Sequence, residues 1–169
     1  MLKLPTHFDK NEWFVLITMI LLFIGFIASP KIFPRGMIMT VLLFFALLGL
    51  TVDILVGSEY PIDFYMIMDS PKLELFDMLI YIVNYSIYGY FFSYFIYLWN
   101  LNNFKIVGFI LLWCGLNTLI EWISVYLNVF TYQNGWNLGY SSMSYVIIFM
   151  FCALVVKAFG GIWYVKNIH

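Results

Sequence analysis

Histidine is nearly missing from this chain: it occurs twice, at His7 and His169, one at each end. Metal-assisted hydrolysis normally recruits histidine, and no HExxH pair exists, so no metal site is expected. The apolar stretches hold no GxSxG nucleophile motif, so no catalytic residue is assigned. Cysteine is equally scarce. Cys114 and Cys152 lie in hydrophobic runs without CxxC spacing, which leaves neither a disulfide framework nor a thiol-redox pair. They read as small buried side chains. Charged residues make up only 10% of the chain, the net charge is -1, and the basic residues stand singly. That pattern has no electrostatic footprint for nucleic acid. No cofactor is expected.

What the chain has is apolar side chains. They make up 64% of its 169 residues, against about half in a soluble domain. With about 20 residues needed to cross a bilayer, this length accommodates four or five membrane helices in a single domain, 1–169. Residues 1–13 lack the basic region, short apolar core and small-residue cleavage site of a signal peptide. The first apolar run is therefore expected as a retained helix.

The expected fold class is all-α, a polytopic helical bundle of five transmembrane helices at about 13–28, 36–56, 76–99, 106–129 and 141–164. Asp9 and Glu12 are spaced for a capping box before the first. Ser29-Pro30 ends it, because a residue before proline avoids the helical region, and Pro34 suits the first position of the second. Residues 57–77 hold Glu59, Asp63, Asp69, Glu74 and Asp77 against only Lys72, an acidic cap. Ser70-Pro71 within it is spaced as a helix start, and the aromatic stretch before it suits the membrane interface. The third span is crowded with tyrosine, and Asp77, Tyr81, Asn84 and Tyr88 fall on one face at helical spacing. Residues 131–140, uncharged and aromatic, read as a compact turn. Lys157, near the end of the last span, reads as a side chain snorkelling to the interface.

The fourth span carries the most pointed feature, Glu121 in the middle of an apolar run. An ionisable side chain at membrane depth is costly and demands a partner, a watery cavity or a proton. Asn117, Glu121, Ser124 and Asn128 are separated by four, three and four residues, which places them on one helix face. Such a face turns toward other helices or water.

Five spans put Lys3, Lys10 and Lys72 on one side and Lys31, Arg35, Lys105 and Lys166 on the other, so the positive-inside rule favours N-out, C-in. Asp53, Asp77 and Glu121 then all lie toward the outer half. Their convergence would make an outward-opening pocket, with Asn117, Asn84, Tyr81 and Ser124 beside them. Carboxylates held together repel, so one of them is expected to carry a proton.

Asn11-Glu12-Trp13, Pro34, Glu121-Trp122, Tyr132, Trp136-Asn137 and Tyr140-Ser141 together give the chain a further character. It resembles a family of small multi-span membrane proteins of endospore-forming bacteria. That resemblance implies about five spans and a bacterial cytoplasmic or spore membrane, and it supplies no catalytic residues.

Three functions compete at this point. The first is an acidic, tyrosine-lined pocket that binds or moves a cation, a proton or a small ligand, with a homo-oligomer thickening its wall. The second is an assembly protein of the membrane acting through another membrane protein or its own copies, with the polar residues serving helix packing. The third, lipid-modifying acid/base catalysis by the carboxylates, has the least behind it, so the chain reads more readily as a non-enzyme. The bilayer itself is the one partner common to all three.

Overall fold

A computed structural model of the chain describes residues 8–57, 64–67 and 75–163, with the side chains of Leu75, Asp77 and Asn103 outside that description. Apart from one short ribbon it is all-α. Helix α1, Lys10–Ala28, starts with the Asp9 backbone N–H donating to Glu12 at 2.8 Å, half of the capping box, and stops at an extended Ser29 before Pro30. Helix α2, Arg35–Val56, begins one residue after Pro34, which is its N-cap instead of its first residue. Strand β1 is Tyr65–Ile67.

The next helical run is continuous but not uniform. It comprises α3, Leu75–Leu79, a π-helical segment, Ile80–Tyr85, and α4, Ser86–Leu98. Helix α5, Asn103–Tyr126, strand β2, Phe130–Tyr132, and helix α6, Leu138–Ile162, are the remaining elements among the described residues. Both α4 and α5 end on an asparagine in the left-handed region, Asn100 at φ 46° and Asn128 at φ 60°. In each case the following amide reaches back to close the last turn, Leu101 to Ile96 at 2.9 Å and Val129 to Ser124 at 2.8 Å. This is the Schellman ending, with asparagine in the place usually held by glycine.

Four stretches, Lys10–Ala28, Arg35–Val56, Phe104–Tyr126 and Leu138–Ile162, are long and apolar enough to cross a membrane. Helix α4 packs against α1, α2 and α6, and α5 packs along α6. The core between them is aromatic: Phe45, Tyr90, Phe92, Phe109, Trp113 and Phe149 are all buried. Gly89 lets α2 and α4 approach closely, since a Cβ there would stand 2.0 Å from the Phe45 ring.

The ends of the elements sort into two groups. At one end, Phe8 meets Phe76 with ring centroids 5.7 Å apart, and β1 pairs antiparallel with β2 in the register Tyr65↔Tyr132, Met66↔Thr131, Ile67↔Phe130. At the other, Phe33 packs on Tyr97 and the Trp163 ring lies against Gly36. The ribbon was not anticipated from sequence. Residues 131–140 divide between a strand, a turn and the first turn of α6, which Asn137 caps by accepting from the Gly139 and Tyr140 amides.

Candidate functional site

At the ribbon end, α2 and α6 stand apart and enclose a cavity of about 410 Å³. Its walls are the last three turns of α2, from Phe45 to Val56, and the first half of α6, from Ser141 to Cys152. Tyr85, Tyr88 and Gly89 form the back, Asn117 and Glu121 of α5 line one side, and Tyr65, Phe130 and Trp136 roof it. Among the lining rings Phe149 leads into the aromatic core, with Phe92 5.0 Å from Phe149 and 5.5 Å from Phe109. α2 and α6 also touch where Phe44, in the middle of α2, meets Phe159, near the end of α6, edge-on at 5.6 Å.

Glu121 is buried and is the most heavily bonded side chain of the site. Its Oε1 accepts from the Tyr132 hydroxyl at 2.7 Å and the Ser141 hydroxyl at 2.6 Å, and its Oε2 from the Tyr145 hydroxyl at 2.5 Å. Ser141 in turn accepts from the Trp136 indole N–H at 2.8 Å, which fixes the direction in which its own hydrogen points. Three hydroxyl donors on one carboxylate replace the water that the group loses on burial. Among the described residues the hydrogen-bonding partners of this buried acid are hydroxyls and not basic side chains.

Asp53, on α2 across the cavity, is also buried. It accepts a short hydrogen bond from the Tyr65 hydroxyl. The two strands are therefore fastened to the two acids through tyrosines that are partners in the ribbon register. Burial, with the Asp53 carboxylate next in weight, raises the Tyr65 hydroxyl well above the ordinary phenol value. At Tyr132 burial and then the bond to Glu121 do the same. Both hydroxyls remain donors through the neutral range.

The expected site residues separate into two groups. Glu121, Asp53 and Asn117 line the cavity together, and the Asn117 Nδ2 donates to the Tyr88 hydroxyl at 2.9 Å. Asn84 turns away, its Nδ2 donating to Thr18 of α1 at 3.2 Å. Tyr81 is buried against Tyr85 outside the cavity wall. Ser124 is buried with its hydroxyl on the Ile120 carbonyl. The side chain of Asp77, and most of the acidic cap around it, lie outside the described residues.

Two corrections follow. The stripe Asp77, Tyr81, Asn84, Tyr88 is not one face, because the π-helical segment changes the helical phase between Tyr81 and Tyr88. Tyr85, not Tyr81, thereby reaches the cavity, its ring lying over Gly49 where a Cβ would stand 2.1 Å away. The face on α5 is also shorter than its spacing implied, since the helix ends at Tyr126 and Asn128 belongs to the turn beyond it.

No protein-family model, curated protein or solved structure matches this chain.

Sequence reasoning missed Tyr65, Tyr132, Ser141 and Tyr145, the groups that hold the acids. Their signal was indirect: a buried acid on α5 needs donors, and the uncharged stretch that follows it is rich in hydroxyls. No group of three or more metal-ligating side chains gathers among the described residues.

Proposed function

We propose that this is a five-span integral membrane protein, N-terminus outside, whose outer-half cavity binds a small ligand bearing a positive charge. The cavity is the observation that carries the reading. Concave, mainly apolar sites with a few convergent polar groups are the usual form of small-molecule sites, and about 300–1,000 Å³ is their usual size. Asp53 and Glu121 give this one its sign, and Tyr85, Tyr88 and Trp136 offer ring faces suited to a cation.

The helical run from Leu75 to Leu98 supplies the fifth crossing, and the position of the ribbon at the end opposite Lys31 and Arg35 fits the positive-inside orientation. The resemblance to small membrane proteins of endospore-forming bacteria points to a bacterial cytoplasmic membrane. Binding is favoured over movement across the membrane because a buried aromatic core, Phe92 with Phe109 and Phe149, packs beside the cavity.

The test is binding of propylamine to the purified protein. The amine is expected to raise the unfolding temperature in proportion to its concentration, and propanoate is not. An equal response to both, or an undiminished response in Asp53→Asn/Glu121→Gln, removes the reading.

A further inference from the structure

The cavity has an open side, and it faces the apolar surroundings of the bundle. Leu55 of α2 and Ile147 of α6 both line it, yet they are 62% and 70% exposed. They show that the cavity opens to the outside along both α2 and α6. In a span such exposure is exposure to hydrocarbon, so this opening connects the cavity with the lipid phase of one leaflet. Polarity is graded along the cavity. Asp53, Glu121 and Tyr145 lie toward the ribbon, at the depth of the interface, and Phe45, Ile148 and Cys152 lie deeper.

Resting on the cation-binding reading above, we propose that the ligand is a membrane amphiphile, a long-chain amine that enters sideways between α2 and α6. Its ammonium lies between Asp53 and Glu121, and its chain runs down the apolar part and out past Ile147. Among the described residues the lining contains no lysine, arginine or histidine, so none of these would balance a phosphate or carboxylate head. Such heads are repelled by the same two acids that hold an amine. Transfer of the chain from lipid to cavity gains little, because lipid is already apolar. The membrane instead concentrates the ligand beside the opening, and the head supplies the selectivity.

The test uses dodecylamine carrying a diazirine, irradiated with the full-length protein in dodecyl maltoside micelles, and adducts mapped by mass spectrometry. Adducts are expected on residues 49–56 and 141–152 at about tenfold the yield on the lipid-facing side of α1, and excess dodecylamine, not dodecanoate, displaces them. The yield at these positions falls to the α1 level in Asp53→Asn/Glu121→Gln, and also in Ile148→Trp, which fills the chain end without touching either acid. Labelling spread evenly over the helices, or unchanged in both variants, overturns the proposal. If dodecylamine shows no preference while propylamine still stabilises through Asp53 and Glu121, the amphiphile is wrong and the cation site stands. If neither amine binds, both readings fall.

Discussion

Glu121 shows how an apolar helix can keep a buried acid by surrounding it with hydroxyls. Each donor has a replaceable share. Removing one, as in Tyr145→Phe, is expected to lower stability by about 1 kcal/mol. Glu121→Leu leaves three hydroxyls, that of Ser141 buried, without their acceptor and is expected to cost more than about 2 kcal/mol. Unfolding titrations in mixed micelles give both values, and equal losses would show that the hydroxyls find other partners. The ribbon tyrosines add a pH dependence with a definite sign. In the unfolded chain a phenol ionises near pH 10, whereas burial and the acids hold Tyr65 and Tyr132 above that. A group raised in the folded state stabilises it below its unfolded pKa and loses that contribution as pH climbs. The unfolding temperature of the natural chain should therefore fall between pH 9 and pH 11, and fall less in Tyr65→Phe/Tyr132→Phe. At this scale the sequence was informative about the acid and silent about its donors. Cost identifies Glu121 from sequence alone, but Tyr65 and Ser141 matter only through distances that folding creates.

Among the elements, the helices were legible and their irregularities were not. Hydrophobic runs, proline and asparagine breaks fixed α1, α2, α5 and α6 to within a few residues, because apolar length and backbone constraint are local properties. The π-helical segment has no comparable signature. Its extra residue per turn is stabilised by how α1 and α2 pack on it, and it is the reason that a face drawn through Tyr81 and Asn84 missed Tyr85. The ribbon escaped for a similar reason, being three rungs between segments more than sixty residues apart. Close approach between helices gives the prediction at this scale. Gly89→Ala would drive a methyl into the Phe45 ring and is expected to destabilise by about 1–3 kcal/mol. Gly108→Ala and Gly115→Ala meet nothing within 4 Å and should be neutral or stabilising by up to about 1 kcal/mol. Thermal unfolding of the three variants side by side checks the contrast.

At the scale of the whole molecule, composition alone pointed to a membrane chain, and four helices have the length and apolarity to cross one. The N-out orientation rests on the charge count and on the gathering of the ribbon, Phe8 and Phe76 at one end. It makes a direct prediction: with Cys114 and Cys152 buried, Asn134→Cys should react with a membrane-impermeant thiol reagent on intact cells. Lys31→Cys should react only after permeabilisation, and the reverse pattern would invert the bundle. The ribbon register has a mechanical meaning of its own. Tyr65 and Tyr132 sit opposite each other, so Asp53, β1, β2 and Glu121 form one bridge of contacts joining α2 to α5. In a bridge whose links stand in series, one broken link frees both arms, and a second break then adds little. The losses from Tyr65→Phe and Tyr132→Phe should accordingly sum to more than the loss in the double variant, by about 0.5 kcal/mol or more. Whatever occupies one acid would then be felt at the other, across the cavity.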